Sequence, residues 1–198
     1  MQKPKGYDKT PIYTDSKTLP GGGYVCKVLK AEEVTVGNGK PQLKAAVDIC
    51  EGEYTEFFQD KFDRRKQYDL TGHDVKWPFD GTARIWVEDY RHPEEASIDF
   101  KAFVEACRAS GKEIIWDDRF ASRLKGAEVG IIFRREERKL SDGSGTYWAT
   151  LPFRYTTAQT IRDGNFKVPE DKPLKKAATV ESFTPPEGFA EVDDDIPF

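Results

Sequence analysis

The 198-residue chain predicts a mainly β domain of five strands with one main helix, followed by an acidic tail expected to be disordered. Two observations carry the β assignment. Apolar and polar residues alternate with period two in five short segments, and those segments are separated by Gly-, Asn- and Asp-containing turn signals. A third observation sets the helix: between Ser97 and Ser110 the apolar spacing changes to i, i+3, i+4, i+7. The expected divisions are an N-terminal arm at 1–20, a folded domain at 21–165, a flexible linker at 166–190 and a terminal segment at 191–198.

Taken in order, residues 1–20 are polar, hold Pro4, Pro11 and Pro20, and show no periodicity, as an extended arm would. Gly21, Gly22 and Gly23 either give a flexible entry to the first strand or let another backbone approach closely; the flexible entry is the expected role. Tyr24 to Val36 and Gln42 to Cys50 alternate around Asn38-Gly39, a strong short hairpin signal. In the second strand Leu43, Ala45, Val47 and Ile49 share one face, and Lys44, Ala46 and Asp48 the other. After a turn at Glu51-Gly52-Glu53, the aromatics Tyr54, Phe57, Phe58, Phe62 and Tyr68 interleave with Lys61, Arg64, Arg65 and Lys66. Trp77-Pro78-Phe79 precedes a third strand, Thr82 to Glu88, in which Ala83, Ile85 and Val87 alternate with Arg84, Trp86 and Glu88.

Phe100, Phe103, Val104 and Cys107 form the apolar stripe of the helix, with Ser97 or Asp99 to cap it and Gly111 to end it. A short second helix is expected from Asp118 to Lys125. Val129, Ile131 and Phe133 then mark a strand that runs into the charged Arg135–Lys139, and Ser141–Gly145 turns the chain into a returning strand, Tyr147 to Tyr155. Pro152 in that strand fits an edge or a bulge. Beyond Asp163 the chain is polar and Pro-containing. The order β-β-β-α-β-β fits an oligonucleotide/oligosaccharide-binding (OB) barrel, five strands with a helix between the third and fourth; a small α+β sandwich is the alternative.

Composition excludes several classes. No run reaches the roughly 18 apolar residues that span a bilayer, and Met1–Gly6 has no apolar segment behind it, so no signal peptide and a cytoplasmic location are expected. Cys26, Cys50 and Cys107 are odd in number and form no C-x-x-C pair, which fits buried small hydrophobes better than a disulfide framework or zinc site. There is no phosphate-binding Gly-rich fingerprint, and His73 and His92 are isolated from any nucleophile motif. Glu51, Glu53, Asp60, Asp89, Glu94 and Glu95 show no arrangement that favours a two-metal site. The chain is therefore expected to be no enzyme and to need no cofactor or metal.

The charge is uneven. Of 31 Lys and Arg and 35 Asp and Glu, four and eight fall in 166–198, which leaves 27 of each sign in the body and puts the whole net charge of −4 in the tail. A neutral body is unusual for a nucleic-acid binder unless its cations gather on one face.

Aromatic faces for bases and cations for phosphates are what a single-strand groove needs. The residues that fit are Lys27, Lys30, Lys44, Tyr54, Phe57, Phe58, Lys61, Arg64, Arg65, Trp77, Arg84, Trp86, Arg134, Trp148 and Arg154. Competing roles stand beside them: Phe57 and Phe58 as core residues, and Trp86 as a core tryptophan with Arg84 passing over it.

The last residues, Asp193-Asp194-Asp195-Ile196-Pro197-Phe198, have a physics of their own. Three consecutive carboxylates resist burial, while Ile196 and Phe198 are apolar and Pro197 restricts the backbone before capture. A partner would offer an apolar slot for Phe198 and basic residues for the α-carboxylate and the aspartates. This hexapeptide resembles the C-terminal tip of bacterial single-stranded-DNA-binding proteins, and the layout is similar to the single-stranded-DNA-binding proteins that bacteriophages encode. The resemblance implies an OB domain that protects single-stranded DNA, a linker, and a tip that recruits replication, recombination and repair proteins, inside a bacterial host cell if phage-encoded. An adaptor that uses the tip without binding DNA, and a nuclease or recombination enzyme with the same tail, are the alternatives; homo-oligomer formation stays open.

Overall fold

The computed structural model describes residues 18–37, 39–68, 74–140 and 142–174. The arm up to residue 17, the linker from 175 and the tip at 191–198 lie outside the described residues, as does His73. The elements in chain order are β1 (Gly22–Thr35), β2 (Pro41–Ile49), α1 (Phe57–Tyr68), β3 (Thr82–Trp86), α2 (Ile98–Ala109), α3 (Phe120–Arg123), β4 (Glu128–Lys139), β5 (Thr146–Thr157) and α4 (Ala158–Arg162).

The five strands form one antiparallel sheet in the order β3-β2-β1-β4-β5. The mainly β expectation therefore holds, and α2 is the helix expected between the third and fourth strands, but it is not the single main helix: α1, also of 12 residues, lies between the second and third. Closure into a barrel does not hold: β3 and β5 are the two edges of the sheet.

β1 organises the sheet. Its first half, Gly22–Lys27, pairs with β4, and Cys26–Thr35 pairs with β2, with a register shift between Val28 and Lys30. That irregularity bends the strand and increases its twist. The inner faces carry Val28, Leu43, Val47, Ile49, Ile85, Val129, Ile131 and Phe133, all nearly inaccessible, and α2 lays Phe103 and Val104 against them. The Ser97 hydroxyl caps α2 by accepting from the Phe100 N–H at 3.1 Å, and Gly111 follows with φ of 88°, as the spacing predicts.

α1 has no counterpart in the sequence reading. Asp48 at the end of β2 makes it possible: one carboxylate oxygen accepts from the N–H groups of Ile49 and Phe58 at 2.9 Å each, and the other from Gln59 at 3.1 Å. The acid thus satisfies the free donors at the start of α1 from ten residues away in sequence. Burial pushes the Asp48 carboxyl above its ordinary range, against the pull of these three donors.

The glycines of β1 correct the expectation of a flexible entry. Gly22 and Gly23 lie within the strand, and a Cβ on Gly23 would come within 2.7 Å of Phe166 and 2.8 Å of Ile161. On the neighbouring strand a Cβ on Gly130 would meet the Thr157 carbonyl oxygen at 2.5 Å and Ile161 at 2.6 Å. Both glycines make room for α4 and the segment after it. Gly130→Ala is expected to lower unfolding stability by about 1–3 kcal/mol, the usual cost of overpacking, measured by urea denaturation.

The chain beyond Phe166, expected to be linker, is also attached to the domain in part. Glu137 N–H donates to the Lys172 carbonyl and Lys172 N–H to the Arg135 carbonyl, each at 2.9 Å, so Lys172 forms a short parallel bridge to Glu136. It occupies the side of β4 that β1 leaves free beyond Phe133. The last residues of the expected arm are held too: Leu19 is buried, and its carbonyl accepts from the Thr150 hydroxyl at 2.5 Å. Among the described residues no helix is long and apolar enough to cross a membrane.

Candidate nucleic-acid interface

The gap between the β3 and β5 edges is a cleft of about 540 Å³. β3 exposes Arg84 and Trp86 on its outer face because Ala83 and Ile85 are drawn into the core. β4 supplies Arg134 and Glu136, β5 supplies Phe153, and the loop after β3 supplies Tyr90. Trp86 is 44% exposed and Tyr90 89% exposed, so both rings are open to a ligand.

Phe153 reaches the cleft through a bulge. Ile132 pairs with Arg154 while Phe133 pairs with Pro152, which leaves Phe153 as the extra residue. The expected association of Pro152 with an edge strand and a bulge is thus observed.

The cations are stacked on the rings. The Arg84 guanidinium lies 3.9 Å from the centroid of Phe79, and that of Arg138 lies 5.2 Å from the same ring. Arg134 and Arg154 stand 3.9 Å and 5.1 Å from Phe153. Planar guanidinium groups over aromatic faces keep their forks pre-organised for phosphate or a base edge.

Phe79, on which Arg84 of the first cleft stacks, lines a second cleft of about 260 Å³ with Lys61, Arg65, Tyr147 and Trp148. The two clefts meet at this ring. Together they make a band of exposed aromatics and cations that runs from Tyr90 and Trp86, past Arg84, Phe79 and Arg138, to Trp148.

Charge along the band is only partly compensated. Glu136 is paired with Arg134 and lies 3.6 Å from both Arg138 and Lys172. Although burial pushes the Glu136 carboxyl up, its bond to Arg134 and the surrounding cations hold it below the ordinary carboxylate range. Arg154 is paired with Asp99 at 3.0 Å and Lys61 with Asp80.

The structure sorts the residues expected to meet DNA. Arg84, Trp86 and Arg134 line the first cleft, and Arg154 stands at its edge through Asp99 and Phe153. Lys44 lies directly across the β2–β3 ladder from Arg84 and extends its outer face. Lys61, Arg65 and Trp148 border the second cleft, and Arg64 is on the same helix, half-buried, with its Nε bonded to the Asp60 carbonyl at 3.2 Å.

Others stand apart. Phe58 is inaccessible and belongs to the core; Phe57 is nearly so, and only its edge reaches the lining of the second cleft. Tyr54 packs between Tyr24 and Phe57, at 5.8 and 6.2 Å between ring centroids. Trp77 is turned inward: its indole N–H donates to the Gly81 carbonyl at 2.9 Å and its ring lies 5.3 Å from Phe62. Lys30 is paired with Glu32 at 2.7 Å, and Lys27, three residues earlier on β1, lies opposite Asp48 of β2 and Glu128 of β4.

Sequence reasoning passed over Phe79, Tyr90, Arg138, Tyr147 and Phe153. Pro152 was the available signal for Phe153, since a bulge reverses the face that a strand residue presents. Phe79 sits in a turn, where no periodicity assigns a face.

No protein-family model matches the chain, and no curated protein matches it at a significant level.

Proposed function

We propose that the protein binds single-stranded DNA along the joined clefts and recruits replication, recombination or repair proteins through Asp193–Phe198. The observation that carries the first part is the band of exposed rings and stacked arginines from Trp86 to Trp148, which gathers cations of a neutral body on one surface. Each stacked base contributes about 1–3 kcal/mol, so two or three rings give useful affinity. The second part rests on the hexapeptide and its resemblance to the bacterial tip.

The strand order supports an OB-type reading of the domain. A contact between β3 and β5 would close the sheet into a five-stranded barrel with α2 between its third and fourth strands, and an OB barrel is often partly open. In that fold the face of the second and third strands binds oligonucleotides; here those strands present Lys44, Arg84 and Trp86.

Fluorescence anisotropy of a labelled oligothymidylate tests the DNA reading. Saturable binding that weakens steeply with added salt is expected, because phosphate contacts release counterions. Absence of binding at low salt would refute it. Deleting Ile196–Phe198 is expected to leave DNA affinity unchanged or raised and to abolish co-purification of replication and repair proteins from a host extract; a truncated protein that retains those partners contradicts the docking role.

A further inference from the structure

Three arginines converge where the two clefts meet. Arg84 comes from β3, and Arg134 and Arg138 alternate with Glu136 on β4. Phe79 holds two of the guanidinium groups against one ring, at 3.9 and 5.2 Å. Burial, and after it the charge of Arg138, push the Arg84 guanidinium below its ordinary value while leaving it fully charged.

What answers these charges inside the protein is little. Arg84 donates to two backbone carbonyls, Phe79 at 3.1 Å and Thr82 at 3.3 Å, and has no carboxylate partner among the described residues. Glu136 is shared between Arg134, Arg138 and Lys172. The Nε atoms of Arg134 and Arg138 are buried and have no hydrogen-bond partner among the described residues. A buried charged donor without an acceptor is costly and calls for an explanation.

We propose that Arg84, Arg134 and Arg138 form an oxyanion site that takes one phosphate group, and that its occupant in the working protein is a backbone phosphodiester of the bound strand. Phosphate offers several acceptor oxygens, and the guanidinium fork matches its geometry. Phe79 acts as the platform that keeps Arg84 and Arg138 together despite their repulsion, and Glu136 orients Arg134 and opposes over-tight binding. The assignment of the occupant rests on the nucleic-acid reading; the anion site itself can be tested without it.

The test has two arms. In the first, arginine Nε–Hε resonances of the full-length protein are followed during titration with inorganic phosphate, with chloride at matched ionic strength as control. Saturable shifts of Arg134 and Arg138 are expected, with no shift of Arg108, which is held by Glu105 on the exposed side of α2. R84Q and R138Q weaken phosphate binding on the order of tenfold each. In the second arm, each of these substitutions reduces the salt slope of oligothymidylate binding by about 0.7. R84M and R138M, which also remove the charge, replace any Gln variant that fails to fold. Absence of a saturable phosphate response overturns the site. Oligonucleotide binding with an unchanged slope in both variants also overturns it while leaving the interface standing. A phosphate response without oligonucleotide binding supports the site and removes the nucleic-acid reading.

Discussion

Replacing Trp86 with alanine lowers affinity for oligothymidylate by about 1–3 kcal/mol, roughly 5- to 150-fold, at unchanged thermal stability. The indole stands on the outer face of β3, 44% exposed, beside Arg84 and at the mouth of the larger cleft. Little of the core depends on it, since the inward positions of β3 are filled by Ala83 and Ile85. Trp116→Ala is the matched control. Trp116 is more exposed still, at 64%, but it stacks on Phe120 in a groove bordered by Glu33, Asp117 and Asp118, which repels phosphate. Equal losses in the two variants would contradict the placement of the strand.

Phe58→Ala costs about 3–5 kcal/mol of folding stability, measured by denaturant unfolding. Phe58 is inaccessible, stacks on Phe133 at 5.9 Å, meets Phe57 edge-on at 5.2 Å, and fills the space that a side chain at Gly81 would need. Its removal leaves a cavity between α1, β4 and the turn that carries Phe79. The volume-sparing Phe58→Leu keeps the fold, and its oligonucleotide affinity stays within about twofold of the wild type. A specific loss of binding in Phe58→Leu would return this ring to the interface.

These two residues mark the boundary of what the sequence reveals. For Trp86 the clean alternation of β3 offered the outward register that burying Ala83 and Ile85 produces, but the size of a tryptophan left a core position equally open. The hairpin around Gly39, the cap at Ser97 and the ending at Gly111 were legible because each is a local device whose residues are neighbours in sequence. Phe58 was ambiguous because the helix that buries it depends on Asp48, a residue of the preceding strand whose capping role has no local signature.

The centre of the site was hidden for a related reason. Phe79, Arg84 and Arg138 are brought together by the turn after α1, the third strand and the fourth, which no pattern within one segment connects. Arg138 read as one member of a charged run, and its position over Phe79 depends on the strand order. α4 is five residues long, too short to show a helical period, and the Lys172 bridge to β4 is made by backbone groups that polar composition conceals.

The indole N–H signals of the four tryptophans test the central claim most directly, because they sample the joined clefts, the core and the acidic groove in one spectrum. On titration with oligothymidylate at low salt, Trp86 and Trp148 are expected to shift together and to saturate at the same stoichiometry. Trp77, bonded to the Gly81 carbonyl, and Trp116, stacked on Phe120, remain where they are. An unchanged spectrum, or shifts confined to Trp116, would contradict a single strand held between β3 and β5.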